Sequence, residues 1–551
     1  MTTATPDPLQ QLGAALRGAA SALRGGSAND ELPAAISLER PKRAGRGDYA
    51  TNAALLLAPA LNLSPRVVAE RLASQLAATL GGDLDRADAA GPGFLNLTLT
   101  DAWHRRALAA ILAAGGRFGA GGAPAAERVL VEFVSANPTG PLVAASGRHA
   151  AFGDALARVL ERYGHEVSRE YYFNDAGSQV RLLGESVRAR ARGEEVPEGG
   201  YQGDYVRKLA QQLPNSADRD VDEVARMAVE RLLERIKGTL ARYGVQFDTY
   251  FSERTLHDGS PSELDMALEL LDRAGHLYRS EGATWLRTTT FGDDKDRVVV
   301  RSNGEPTYLA ADLAYMLDKR SRGFDRQLNP MGSDHHAYVR ELKAAMAALG
   351  GDPDTIEVPI IQFVHLVEGP ERAAMSKRMG SFVTLDELLD EIGVDATRFF
   401  LLQRSIDRTI DLDLDLARRQ SGENPVYYVQ YAHARIASLL SRVSGARLAA
   451  ATAPGADWGE APLVPAERDL VKKLADFPGE IAEAAQRRAP HRIAGYCLEL
   501  AQNFTAFYRD CRVVGARPAS LESLRLALSL ASQTLIAQAL GLLGVSAPNF
   551  M

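Results

Sequence analysis

Cysteine is nearly absent: the 551 residues contain two, Cys497 and Cys511. Two thiols exclude a disulfide framework and a Cys-rich zinc site, and such sparing use favours a reducing compartment. No apolar run approaches the ~20 residues that cross a bilayer. The most hydrophobic stretch, Leu526 to Val545, is broken by Ser529, Gln533, Thr534 and Gln538 and reads as a packed helix. The opening MTTATPDPLQQLG lacks a basic segment followed by an apolar one, so no secretory leader is expected. No internal repeat or low-complexity tract stands out. The expected protein is soluble and cytoplasmic, with no membrane contact.

The composition itself is that of an ordinary globular chain, 46% hydrophobic and 24% charged. Its length exceeds one compact core and predicts two to four domains, at roughly 100–200 residues each. The formal charge of −7 is unevenly spread. Residues 1–115 carry 11 basic and 10 acidic side chains, and residues 417–551 carry 15 and 11, which leaves −12 on residues 116–416. The ends can supply cationic surface to a nucleic acid, and the acidic middle suits a cationic small substrate.

Helical patterns over 8–24 and 64–80 and an alternating GPGFLNLTL (Gly91 to Leu99) make residues 1–115 a small α+β unit. The Gly-rich stretch 115–126 is a linker, since no strand precedes it as a nucleotide-loop fingerprint requires. Then Arg128 to Val134 (RVLVEFV) reads as a buried parallel strand, Ser135 to Gly140 as its turn, and the next segment as a helix. That helix buries Phe152, Leu156, Val159 and Tyr163 and stops at Gly164, before a strand from Val167 to Phe173. This unit belongs to a doubly wound, Rossmann-like sheet over 116–416. Further strands fit Asp325 to Met331 and Val358 to Val367, with a mainly helical insertion at about 190–290. Residues 417–551 are an all-α domain.

Five segments carry chemistry. Asn137-Pro138-Thr139-Gly140 lies past the carboxyl end of a strand and just before a helix, where α/β sheets bind ligands and helix N–H groups attract phosphate. Met375-Ser376-Lys377-Arg378 sits in a loop able to close over a polyphosphate, and Thr384 with Glu387 forms a capping box after it. Tyr308 and Asp312, four apart, share one helical face, and a carboxylate there can take a guanidinium bidentately. Gly332-Ser333-Asp334-His335-His336 also follows a strand; it invites a metal, but without a second cluster at ligand spacing a nucleotide contact fits better. Asp411 to Leu416 (DLDLDL) places three carboxylates on one side of an extended edge.

Together these segments resemble the bacterial arginyl-tRNA synthetases, which are class I aminoacyl-tRNA synthetases. The resemblance runs over nearly the whole chain. GDYATN (47–52) and GPGF (91–94) look like the family's additional tRNA-binding domain. VEFVSANPTGP (131–141), YYFNDAG (171–177), Thr307 to Asp312, Gly332 to Tyr338 and the Met375 to Arg378 loop look like its catalytic core. NPVYYVQYAHAR (424–435) and the ending LLGVSAP look like its helical anticodon-binding domain. The resemblance implies a monomer that uses arginine, Mg·ATP and arginine tRNA and forms an arginyl-adenylate. It also implies roles. Ser135 and Asn137 would hold the α-groups of arginine, and Tyr308 and Asp312 its guanidinium. Pro138, Thr139, Gly140, Gly147, Gly332, Asp334, His335 and Met375 would line the ATP, and Ser376, Lys377 and Arg378 would act on the phosphates.

Two departures matter. The class signature His-x-Gly-His is replaced by Val143-Ala144-Ala145-Ser146, although Gly147-Arg148 follow as usual, and an unusual His149 comes next. One lost preorganised donor can cost ~10²–10³ in rate. Ser146 and His149, three apart on one face, are the candidate replacement donors. The lysine that opens the loop signature is Ala374, with Arg372 two residues upstream. The alternative expectation is a degenerate paralogue that binds arginine or arginine tRNA without activating it.

Overall fold

The computed structural model describes residues 7–25, 32–33, 35–41, 45–336, 338–367 and 383–551. It opens on α1 (Pro8–Leu23), whose N-terminus is capped by Asp7 accepting from the Leu9 N–H at 2.9 Å. Strands β1 (Leu38–Glu39), β2 (Tyr49–Thr51), β3 (Leu84–Ala90) and β4 (Phe94–Leu99) form an antiparallel sheet in the order β1-β2-β4-β3. Helices α2 (Ala53–Leu61) and α3 (Pro65–Leu80) join α1 over it and bury Leu16, Leu57, Leu72 and Leu76 against Leu95 and Leu97. After α4 (Asp101–Ala114) the Gly-rich linker is fastened rather than loose. Phe118 is buried, and the Arg162 guanidinium donates to the Gly116 and Phe118 carbonyls.

The centre is a five-stranded, all-parallel sheet. Its strands are β5 (Arg128–Glu132), β6 (Glu166–Phe173), β7 (Thr249–Ser252), β11 (Arg326–Leu328) and β13 (Ile356–Glu357), in the order β13-β11-β5-β6-β7. The chain builds outward from β5 to β6 and β7, then returns to β11 on β5's other side. The switch point therefore lies between β5 and β11, and a ligand crevice is expected outside the carboxyl ends of those two strands. Helix α5 (Ala144–Tyr163) joins β5 to β6, buries Phe152, Leu156, Val159 and Tyr163 and ends at Gly164. It lies so close to β5 that a Cβ on Gly153 would sit 2.2 Å from the Phe133 ring.

The stretch at about 190–290 is not one helical insertion. Helices α6 (Ser178–Arg192), α7 (Asp204–Gln212) and α8 (Val221–Arg242) form the β6–β7 crossover with their own apolar cluster, including Leu183, Leu209 and Leu232. Then β7 rejoins the sheet inside the expected insertion. Beyond α9 (Glu263–Arg273), strands β8 (Leu277–Ser280), β9 (Ala283–Leu286) and β10 (Arg297–Val300) make an antiparallel sheet ordered β10-β9-β8. Four-residue strands carry too short a pattern to be told from helix by periodicity. Helix α10 (Tyr308–Ser321) leads to β11.

The two later strands expected as single runs are each split. Pro330 separates β11 from β12 (Met331–Gly332), and the run Val358 to Val367 holds β14 (Ile360–Ile361) and a second short strand, while the sheet strand β13 lies ahead of it, cut off from β14 by Pro359. A proline has no N–H to give to the ladder. Helix α11 (Tyr338–Ala348) lies between β12 and β13, β15 (Val364–Val367) follows β14, and α12 (Leu385–Leu402) begins with the Thr384–Glu387 capping box. The DLDLDL run is extended only over β16 (Ile410–Asp413), parallel to β15. The Asp413 carboxylate accepts from the Leu416 N–H and starts a helix at Leu414, so Asp415 leaves the edge that Asp411 and Asp413 share. The remainder is helical from Pro425 to Leu542, and its core is continuous with that of the sheet. No helix among the described residues is long and apolar enough to cross a membrane.

Candidate active site

The turn after β5 is strained and tightly held. Val134 and Ser135 have φ of +67° and +42°, a region that non-glycine residues, and β-branched ones above all, avoid. Such backbone persists where its surroundings over-determine it. The Ser135 hydroxyl donates to Glu132 Oε1 at 3.2 Å and accepts from the Tyr172 N–H at 3.3 Å. The Tyr171 hydroxyl donates to the Ala136 carbonyl at 2.7 Å. Asn137 Oδ1 accepts from the Asn174 N–H at 3.1 Å. The Tyr205 hydroxyl, arriving from α7, donates to the Thr139 carbonyl at 2.8 Å. Gly140 packs against that ring, and a Cβ there would lie 3.4 Å from the Tyr205 oxygen, in ordinary contact.

Beside this turn opens a cavity of about 570 Å³, lined by Asn137, Thr139, Asn174, Glu253, Arg254 and Tyr308 among others. Tyr308 is 71% exposed on its wall. One helical turn deeper on α10, Asp312 accepts a hydrogen bond from the Tyr338 hydroxyl. Burial pushes the Asp312 carboxyl up to about 7, and the neighbouring carboxylates of Glu132 and Glu253 add to the shift, against the Tyr338 hydrogen bond and Lys319. Glu132 is itself buried at the end of β5 and bound by Lys319 at 2.5 Å. Glu253 accepts from the Tyr172 hydroxyl at 2.6 Å. Asn137, Tyr308 and Glu253 thus line one cavity, and Asp312 lies behind its wall, one turn along α10 from Tyr308.

Past the Asn137 turn the chain enters α5. Its first N–H, at Ala144, donates to the Val383 carbonyl at 2.9 Å, and the Leu385 N–H donates to the Leu142 carbonyl at 2.8 Å. Val143 pairs with Thr384 in an antiparallel bridge. Arg148, 1% exposed, donates to the Gln362 carbonyl at 2.6 Å and the Ser405 carbonyl at 3.0 Å. Burial, opposed by Asp407, pulls its guanidinium down to about 10. The first two turns of α5 therefore grip the chain on both sides of residues 368–382. Arg372, Ala374, Met375, Ser376, Lys377 and Arg378 lie outside the described residues.

Ser146 is half-buried and Gly147 buried on the first turn, where Gly147 admits the Leu385 side chain. His149 faces the loop after β12. Burial, and then Arg148, hold its imidazole down at about 4, against Asp334 and a hydrogen bond to the Pro330 carbonyl. A neutral ring that donates to Pro330 has an acceptor at its other nitrogen. Gly332, Asp334 and His335 leave the carboxyl end of β11, across the switch point from Asn137. The Asp334 and His335 side chains are exposed, 3.5 Å apart. Among the described residues no group of three or more His, Cys, Asp or Glu is placed to hold a metal ion.

Three matches to known families cover this architecture. Residues 10–99 match the arginyl tRNA synthetase N terminal domain, residues 194–413 the class I (R) tRNA synthetase catalytic domain, and residues 429–551 the DALR anticodon binding domain. The arginine–tRNA ligase of Frankia alni is 46% identical over 544 residues, 96% of this chain and 97% of that one. The chain belongs to the arginyl-tRNA synthetase family. Two solved arginyl-tRNA synthetases share the fold. That of Thermus thermophilus has a TM-score of 0.75 at 24% identity, covering 98% of this chain and 100% of the other. That of Plasmodium falciparum has 0.77 at 17%, covering 100% of both.

Within this arginyl-tRNA synthetase scaffold, the sequence patterns missed Glu132, Lys319, Glu253, Tyr338 and Tyr205. Glu132 carried a signal: it is a carboxylate inside an otherwise apolar buried strand, which demands a partner. The rest carried none, because Tyr338 lies 26 residues from Asp312 and Lys319 lies 187 from Glu132.

Proposed function

We propose that the chain joins L-arginine to its tRNA in two steps. ATP and arginine give arginyl-adenylate and pyrophosphate, and the arginyl group then passes to the terminal adenosine of arginine tRNA. The carrying observation is the acidic notch beside the switch-point crevice. Asp312 resists ionisation because of burial and two neighbouring carboxylates, and a bound cation relieves all three at once. A planar guanidinium does so with two parallel hydrogen bonds that an ammonium cannot reproduce.

In this reading Asp312 takes the guanidinium and Tyr308 covers it from the exposed side. Asn137, on the cavity wall, takes the α-groups. Ser135 acts from behind, because its hydroxyl already bridges Glu132 and the Tyr172 N–H. ATP lies across the crevice, its phosphates near Pro138, Thr139, Gly140, Gly147 and the first turn of α5, its nucleoside side near Gly332, Asp334, His335 and Met375. Mg²⁺ enters with ATP as part of that substrate. Ser376, Lys377 and Arg378 neutralise the departing pyrophosphate. Ser146, at the second signature position, and His149, one turn on, are the substitute donors in this reading. His149 reaches a phosphate as a donor only by releasing Pro330 or by gaining a proton.

The tRNA meets the basic ends of the chain. In the helical domain a groove of about 800 Å³ is lined by Tyr431, Arg435, Arg442, Tyr508 and Arg512. The Arg435 guanidinium lies 4.7 Å from the Tyr431 ring centroid and 5.5 Å from that of Tyr508. Aromatic faces with arginines suit unstacked bases of a single-stranded loop. The enzyme acts as a cytoplasmic monomer. The test is aminoacylation of arginine tRNA by the purified chain with ATP and arginine. Product that requires all three is expected, whereas arginine or tRNA binding without pyrophosphate exchange would replace this reading with a binding-only paralogue.

A further inference from the structure

Lys319 lies two turns beyond Asp312 on α10 and is 5% exposed. Its ammonium is 2.5 Å from Glu132 Oε2 and 3.9 Å from the centroid of the Tyr315 ring. The next carboxylate on that side, Glu170, has its own cation: Arg322 donates to it twice, at 2.6 and 2.9 Å, and the Tyr315 hydroxyl donates at 2.5 Å. Arg322 also holds Asp318, at 2.9 Å. Glu170 and Asp318 thus have Arg322 as their bonded cation, and the hydrogen bond of Lys319 goes to Glu132 on β5. Glu132, Lys319 and Glu253, from the turn after β7, all act on Asp312, with the Tyr172 hydroxyl bound to Glu253 and the Tyr338 hydroxyl to Asp312.

We propose that Lys319 is a positioning and specificity-determining residue: an internal counter-ion that fixes Glu132 and keeps Asp312 ionised for the substrate's guanidinium. The inference rests on the arginine reading above. Three neighbouring carboxylates with no cation would take up a proton, and a protonated acid cannot present two acceptor oxygens to a guanidinium. Lys319 lowers that repulsion before the substrate arrives. It also decides which carboxylate reads the substrate. With Oε2 on Lys319 and Oε1 on the Ser135 hydroxyl, Glu132 has no open two-oxygen face. Asp312, bound only by a neutral hydroxyl among the hydrogen bonds and ion pairs described for it, keeps one. A lysine-sized ligand would bring a point charge to a face built for a fork.

The experiment is arginine binding by titration calorimetry, with the arginine KM in pyrophosphate exchange, from pH 6 to 9.5. The proteins are wild type, Lys319→Met, Lys319→Arg and the double variant Glu132→Gln/Lys319→Met. Wild-type affinity is expected to weaken as pH falls through about 7, where Asp312 takes up its proton. In Lys319→Met that midpoint moves up by about one pH unit or more. Near pH 7.5 its binding is then weaker by about threefold or more, with the ATP KM unchanged and affinity recovering toward pH 9.5. Lys319→Arg keeps the wild-type midpoint. The double variant, which removes both charges of the pair, also returns to it, and it serves if Lys319→Met alone does not fold. A Lys319→Met profile that is merely lowered at every pH, or a double variant that stays shifted, would overturn the proposal while leaving the arginine reading intact. A wild type that binds no arginine at any pH would sink both.

Discussion

Replacing Asp312 with asparagine separates substrate recognition from stability. The side chain keeps its shape and an oxygen for the Tyr338 hydroxyl, but the charge is gone. Arginine then loses a charge-assisted, two-oxygen partner. Such bonds contribute about 1.5–3 kcal/mol each, so the loss of one of the two, the asparagine keeping one oxygen, should raise the arginine KM about 10- to 150-fold. The kcat at saturating arginine should fall far less. Stability should move the other way. The Asp312 carboxyl titrates at about 7 in the folded protein against an ordinary 3.8. The native state thus binds more protons than the unfolded chain between those values, and wild-type stability declines as pH rises through that window. The full displacement corresponds to ~4 kcal/mol as a ceiling. Without arginine, Asp312→Asn should therefore melt higher than wild type at pH 8 and match it near pH 4. Pyrophosphate exchange and thermal melts at two pH values read both effects. An unaltered KM, or a variant less stable at pH 8, refutes the acidic-notch argument.

Other residues give separate handles. His149→Ala should lower pyrophosphate exchange about 10²-fold, the scale of one lost preorganised donor, and unchanged exchange would remove His149 from the mechanism. In the folded protein His149 is held neutral down to about pH 4, so its contribution to stability is complete above about 6.5 and lost as pH falls toward 4; an acid melt of His149→Gln should lack that step. Tyr205→Phe keeps the ring on Gly140 but removes the donor to the Thr139 carbonyl, and it should raise the ATP KM about three- to tenfold, for a bond of about 1 kcal/mol, with the arginine KM unmoved. Arg435→Ala should raise the tRNA KM and flatten its salt dependence without touching pyrophosphate exchange; an equal loss in both assays would show that the groove does not serve tRNA.

Local signals carried far in this chain. The Thr384–Glu387 box and the Gly164 stop were legible because caps and stops act within a few residues. The face of α5 was legible because its burial repeats every three or four residues. Where a short element depended on distant neighbours, the signal failed. Strand β7 is four residues long and is a strand only because β6 runs beside it. Asp413 follows the alternating pattern of an edge strand, yet its carboxylate caps a helix.

The sequence by itself settled the architecture in outline, the turn at Asn137 to Gly140, and the absence of both signature histidines, all of which are facts of residue order. Only the folded chain decided that Glu132, Lys319, Glu253, Asp312 and Tyr338 share one small volume at the end of β5. Ionic and hydrogen-bonded partners are chosen by distance in space, and these five come from elements whose separation along the chain carries no trace of that distance. The same holds for α5, which grips both sides of residues 368–382 through backbone carbonyls that any sequence would provide.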